Sequence, residues 1–399
     1  MIFGAVIFAA DRACAQNLDD VRLEADYILA CQYMDSGNSA YGAINDVTGA
    51  PTWVMPGENA IAIMGLITAS DLLNDPAYKN SAQLSANYLQ TVQAGDGGWY
   101  NQYNYSQAAD AGKDLRHTAE VMIAYDKLGY DAARYDSMRN ASEFILAAQN
   151  TANKTGLDDG LVGGGKTSSG AYHTQRWTSD NAFAYQALKA AAKWARTNND
   201  QAYATQLDTA ADRILTGIRN YLAAGTDHWN RAIDASGNVV AAEDKSDWIS
   251  YAPLMLDLPM DNMDPAAVGE WIHTVLQKPD GSVVWDDGTY SNRKSPGYSF
   301  QAGLVWLDRE QMDFMNAAVS WAEQSGLWQK VPDGNNVSGG WIDWVEGAGQ
   351  AQQWERFIDT SAYYIMIQNG GYDFNVVPEP STMILFLSGL FGACFRRKP

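Results

Sequence analysis

Two kinds of helical segment alternate along this chain, and that alternation restricts its fold more than any other feature. Between Gln16 and Val376, apolar residues recur at spacings of three and four, as in Leu66, Ala69, Leu72, Leu73 and in Val121, Ile123, Ala124, Leu128. This is the period of helices, not of half-buried strands. Six segments are small and apolar around most of their circumference: 57–73, 113–128, 179–196, 247–256, 297–307 and 356–368. A helix without a polar stripe has to be covered on all sides. Six others carry a clear polar stripe and suit an outer layer: 20–34, 77–92, 132–149, 201–222, 265–277 and 311–324. Inner segments follow one another at roughly 50 to 70 residues, a spacing that reads as an internal repeat.

A second signature marks the same repeat. After several outer segments comes a Gln, then an Asp-Gly turn, then a Trp: Gln93…Asp96-Gly97-Gly98-Trp99, Gln277…Asp280-Gly281…Trp285, and Gln329…Asp333-Gly334…Gly339-Gly340-Trp341. Glycine supplies the left-handed turn that ends a helix, and the indole can cover the helix end. Six such hairpins closing on themselves make an all-α (α/α)6 toroid of about twelve helices, one domain over residues 16–376. An open α-solenoid is the alternative, but it would leave apolar inner segments facing water. The arrangement and its Gln…Gly-Trp turns resemble the six-hairpin glycosidase-like and terpenoid-cyclase-like toroids, in architecture only.

The two ends read as addresses. Residues 2–10 are apolar and lead to Ala13-Cys14-Ala15, a small-x-small pattern that suits the cleavage site of a signal peptide over residues 1–15. Residues 383–395 form a second apolar run, followed by Arg396-Arg397-Lys398. It is too short to span a bilayer comfortably, and its basic end would stay cytoplasmic. With Pro378-Glu379-Pro380 ahead of it, segment 377–399 is similar to the PEP-CTERM sorting signal of Gram-negative bacteria. That resemblance implies export, transient anchoring in the inner membrane, and processing by an exosortase-type enzyme. The destination would be periplasm, cell surface or extracellular matrix, often in exopolysaccharide producers. Removal of both ends would take Cys14 and Cys394, leaving Cys31 without a disulfide partner.

With 27 Lys+Arg against 47 Asp+Glu the net charge is −20. Such a chain lacks the basic footprint that nucleic acid or an anionic bilayer demands, so the membrane is expected to be met only through the C-terminal tail. Neither a metal site nor a cofactor is expected. No Cys/His cluster has zinc spacing, and the Asp286-Asp287-Gly288 and Asp333-Gly334-Asn335-Asn336 loops lack the full calcium-ligand pattern.

Chemistry is expected where inner helices begin, because a toroid gathers those N-termini at one mouth. Nearly every junction carries a carboxylate: Glu58, Asp114, Asp180, Asp247, and Glu355 with Asp359. Each alone is also what a helix cap requires. Aromatic and basic residues accompany them, however, and Trp53, Tyr103, His117, His173, Arg176, Trp177, Trp248, Tyr290 and Trp354 are candidates for binding a substrate. Carboxyl pairs among aromatic rings are what glycosidic-bond hydrolysis uses. Glu58, opening an apolar helix in Pro56-Gly57-Glu58-Asn59, is the expected proton donor, and Asp180 or Asp114 the expected partner. Its position resembles that of the general acid in family 8 glycoside hydrolases. The expected function is an exported carbohydrate-active enzyme, a glycoside hydrolase on exopolysaccharide or oligosaccharide. A non-catalytic glycan-binding or matrix protein is the alternative. A polysaccharide lyase using Tyr172, His or Lys is a further one.

Overall fold

A computed structural model describes residues 17–46, 53–153, 159–240, 252–284, 291–332, 337–342, 345–346, 350–351, 356–372 and 374. Both terminal segments, together with Trp248, Tyr290 and Trp354, lie outside these residues.

Twelve α-helices occur among the described residues. The outer ones are α1 (Leu18–Ala30), α3 (Pro76–Val92), α5 (Tyr135–Asn153), α7 (Gln201–Gly217), α9 (Pro265–Leu276) and α11 (Met312–Gln324). The inner ones are α2 (Pro56–Leu73), α4 (Leu115–Leu128), α6 (Thr178–Thr197), α8 (Ala252–Met255), α10 (Pro296–Asp308) and α12 (Ile358–Gln368). Each inner helix packs on the next, and α12 packs back on α2. The ring is closed, so the chain is an (α/α)6 toroid and not a solenoid. At the seam the backbones approach so closely that a Cβ on Gly65 of α2 would sit 2.6 Å from that of Ala362 on α12.

Differences from the expected boundaries have local causes. α4 and α12 start late because Lys113–Asp114 and Arg356–Phe357 are two-residue strands, paired with Gly165–Lys166 and Trp341–Ile342. α5 is preceded by a 3-10 turn, Ala132–Arg134. α7 gives way to a single π-turn, Ile218–Leu222. α1 stops early because Gln32, expected inside the helix, is bridged to Ile44 instead.

Gln32 belongs to a repeated fastening that holds the outer layer. Its Nε2 donates to the carbonyls of Gly42 (2.9 Å) and of Ser81 on α3 (3.0 Å). Gln93 bonds Gly97 (2.7 Å) and Ser137 on α5 (3.0 Å). Gln149 bonds Gly160 (2.6 Å) and Ala210 on α7 (3.1 Å), and Gln277 bonds Gly281 and Phe314 on α11 (both 3.0 Å). In every case the amide ties its own turn to the next outer helix. The four turn glycines have φ between 77° and 94°. A Cβ on any of them would strike a carbonyl oxygen on that next helix, at Leu84, Asn140, Arg213 or Ala317. Here glycine is needed both for the turn and for the close approach. Trp99, from the same signature, is fully buried and donates to the Leu89 carbonyl at 2.7 Å.

The seam between last and first hairpins is fastened differently. Gln329 donates to Val331 (2.7 Å) and does not reach α1. Glu24 of α1 takes over the work. Its fully buried carboxylate accepts from Trp328 Nε1 (2.6 Å), from the backbone N–H of Gly340 (3.1 and 3.2 Å) and from Ser361 Oγ on α12 (2.6 Å).

Candidate active site

How the helices begin decides which acids are available for chemistry. Outer helices α1, α3, α7 and α9 are capped by the side chains of Asn17, Asp75, Asp200 and Asp264. Inner helices α2, α6 and α12 are instead entered from short strands, and their N-cap residues Met55, Trp177 and Phe357 supply no side-chain cap. The first-turn carboxyls Glu58, Asp180 and Asp359 are therefore not the N-caps of their helices. Asp114 differs: it is the N-cap of α4 and accepts from the Arg116 N–H at 2.8 Å.

These N-termini surround a cavity of about 250 Å³ lined by α2, α4, α10 and α12. Glu58, Glu120 and Asp359 face it together with Arg116, Gln301 and Tyr363. The Glu58 and Asp359 carboxyls lie within hydrogen-bonding reach of each other. Two carboxyl groups can share that contact only if one holds a proton. Burial above all, then the neighbouring Asp359 and Asp46, push the Glu58 carboxyl well above the usual carboxylate range, against the pull of Arg116. Asp359 is raised as well, chiefly by burial.

Glu120 lies one turn below Arg116, with 3.7 Å between Arg116 Nε and its Oε1. Burial outweighs the guanidinium and brings its pKa up to about 7. Burial works against the Arg116 charge too, but Glu120, Asp114, Glu58 and Asp180 together hold its pKa above the ordinary arginine value. Beside it, His117 is buried and pushed down to about 4, so the ring is neutral at pH 7. Its Nε2 lies 3.2 Å from Arg116 Nη2 and accepts from it, which leaves the proton on Nδ1. Asp180 is buried and raised well above the carboxylate range, by burial first and by Asp114 second. It joins the charge network through Arg116 but does not line the cavity.

Several expected substrate contacts are placed elsewhere. Tyr103 is sealed in the core, 2% exposed, its hydroxyl donating to the Val92 carbonyl (2.7 Å) and accepting from the Tyr100 N–H (3.1 Å). A ring so enclosed offers no face to a sugar. Arg176, 1% exposed, is an internal strut, with Nε 3.0 Å from Asp159 and Nη2 donating to Ala152 (2.7 Å). His173 is exposed on the loop ahead of α6, and Trp177 is half-buried with the Arg231 guanidinium 4.6 Å from its ring. Trp53 keeps an open face, 55% exposed, on a strand that ends four residues before Glu58. Glu120 is not among the junction acids, because it lies inside α4 and not at its start. Its signal is the Arg116-x-x-x-Glu120 pair, one helical turn apart on an inner segment, a place where charge is rare unless paired.

The fold has close counterparts of known structure. A sugar epimerase from a ruminal bacterium superposes with a TM-score of 0.65 over 89% of this chain and 99% of its own, at 11% identity. The cellobiose 2-epimerase of Spirochaeta thermophila gives 0.63 over 88% and 95%, at 13% identity. A wild-type glycosidase gives 0.61 over 88% and 96%, at 12% identity. Likeness at these identities carries the fold and not the residues. At the C-terminus the chain contains a PEP-CTERM protein-sorting motif, residues 376–398, which marks export and membrane-anchored sorting in Gram-negative bacteria. A search of curated proteins finds no match.

Proposed function

We propose that this chain is an exported carbohydrate-active enzyme that hydrolyses glycosidic bonds, with Glu58 as proton donor. The observation that carries the reading is the convergence of Glu58, Glu120 and Asp359 on one cavity at the mouth of the ring. A carboxyl group held protonated near neutral pH is what a general acid requires. Asp359, in direct contact with Glu58, is too close to be its catalytic counterpart. Hydrolytic pairs stand about 5–5.5 Å apart for a covalent intermediate, or roughly 6.5–9.5 Å when water sits between them. Asp359 is therefore the proton-sharing partner that keeps Glu58 acidic in function, and Glu120 is the second carboxylate. Asp180 and Asp114, the partners expected from sequence, shape the field around Arg116 from outside the cavity.

The epimerase counterparts of the fold support a second reading, rearrangement without hydrolysis. The lyase alternative is disfavoured by charge, since a uronate would enter a cavity where carboxyls outnumber the guanidinium. The sorting motif supports export and exosortase-type processing, and with them a substrate met outside the cytoplasm, an exopolysaccharide or its fragments. A polysaccharide panel, scored both for new reducing ends and for absorbance of unsaturated uronates, tests this function. Reducing ends without absorbance are expected, and Glu58→Gln should lower that rate by about 10²–10⁴-fold. Unchanged turnover in Glu58→Gln, or sugar interconversion with no new reducing ends, would refute it.

A further inference from the structure

One cavity residue has a chemical demand that the protein does not meet. Gln301 of α10 lines the cavity and is 5% exposed, yet its Oε1 has no hydrogen-bond donor. An unpaired buried amide oxygen costs about 1–3 kcal/mol, so its retention beside a cavity points to a donor supplied by the ligand.

The charges around it say which donor. Glu58, Glu120 and Asp359 line the cavity with Arg116 as the one cation among the described lining residues. Asp46 adds negative potential from behind, acting on Glu58. A hydroxyl would satisfy Gln301 but leave in place the negative charge that remains when Glu58 and Asp359 share one proton and Glu120 ionises. An ammonium group satisfies both, because it donates three hydrogen bonds and carries the opposing charge. The volume, about 250 Å³, lies just under the roughly 300–1,000 Å³ of ordinary ligand pockets. It suits one sugar ring with a small substituent. An N-acetyl group would be bulkier and uncharged. The net charge of −20 would also draw a cationic polymer towards the surface.

We propose that the cavity binds an amino sugar with a free ammonium group, held by Gln301 Oε1 and the surrounding carboxyls, so that the substrate class is a de-N-acetylated, cationic glycan. This rests on the reading of the cavity as a sugar site. Calorimetric titration of the full chain with D-glucosamine, D-galactosamine and D-mannosamine tests it, against the parent hexoses and the N-acetyl forms. At least one amino sugar should bind about tenfold more tightly than both its parent and its N-acetyl form. Gln301→Leu should reduce that margin several-fold, while Gln301→Glu, of similar shape with an added charge, should widen it. Circular dichroism confirms that each variant is folded.

Equal binding of charged and neutral sugars overturns the proposal. So does tighter binding of the N-acetyl form, binding of no sugar at all, or a margin unmoved in both variants. The two readings fail separately. Hydrolysis of neutral glycans without ammonium preference removes this inference and leaves the hydrolase. Ammonium-selective binding with no hydrolysis of any glycan does the reverse.

Discussion

Glu24 and Glu58 are both acids withdrawn from water and raised in pKa, but only one of them faces a site. Glu24 is pushed up to about 7 by burial, even though Ser361, Trp328 and Gly340 all donate to it. Glu58 is raised as well, by burial and by other acids, and opens onto a cavity. Burial raises the pKa in both places, so a raised pKa does not identify chemistry by itself. What separates the two is satisfaction. The Glu24 oxygens are met by three donors from elements more than 300 residues away, as a structural fastening requires. The carboxyls around Glu58 face one another and an amide oxygen that lacks a donor, as a binding site requires.

Removing each acid should therefore have opposite consequences. Glu24→Ala leaves Trp328, Gly340 and Ser361 with buried donors and no acceptor. At about 1–3 kcal/mol for each of these three groups, the loss should be at least about 3 kcal/mol, read by denaturant unfolding. Glu58→Gln should leave stability equal or higher, because it replaces a protonated buried acid with a neutral side chain of the same shape. A fall in stability on Glu58→Gln comparable to that of Glu24→Ala would erase the distinction.

The response to pH sharpens the contrast. The folded chain holds the Glu24 proton more tightly than the unfolded chain does, with a pKa of about 7 against 4.5. Its contribution to stability is therefore complete below 4.5 and is lost as pH rises to about 7, a change of about 3 kcal/mol. Glu120 acts in the same direction over the same range. Glu24→Gln keeps the fastening, since its amide can donate to Ser361 Oγ while its oxygen accepts from Trp328. Stability measured from pH 4.5 to 7.5 should flatten by Glu24's share in that variant, with glycan turnover unaltered. An undiminished slope would show that the proton resides elsewhere.

Smaller effects test the geometry at the mouth. A Cβ on Gly57 would collide with Glu120 Oε2 and lie 2.5 Å from His117 Cδ2. Gly57→Ala should cost about 1–3 kcal/mol of stability and lower kcat more than it raises KM, because it displaces the second carboxylate. A change in KM alone would place Glu120 in binding and not in catalysis. Asp114→Ala should cost least, about 1 kcal/mol for a lost helix cap, with turnover reduced far less than in Glu58→Gln. A loss of turnover equal to that of Glu58→Gln would restore Asp114 as the catalytic partner.

Twelve helices, their two layers and most of their ends were legible in the sequence, because these properties are local. Apolar spacing along a dozen residues reports which faces are buried, and the Gln and Asp-Gly positions report where an outer helix must stop. Even so, the fastening had two unrecognised members. Gln32 falls inside the apolar period of 20–34, and Gln149 with Asp159-Gly160 has no Trp after it to mark the turn. The carboxylates at the inner junctions were also visible, but capping and catalysis look alike in one dimension. Met55, Trp177 and Phe357 at the N-caps are what release Glu58, Asp180 and Asp359, and that depends on strand pairing between distant loops.

By itself, the sequence determined that this chain is an acidic, all-helical repeat with a C-terminal sorting motif and a row of acids at its inner helix starts. Tertiary structure alone decided which acids meet. Closing the ring brings Glu58 and Asp359 into contact across 300 residues, turns Glu120 and Gln301 towards the same space, and confines Arg176 and Tyr103 to the scaffold. Periodicity fixes the face on which a side chain lies. Its partners are set by how six hairpins pack around a common axis, and hydrogen bonding and pKa depend on those partners.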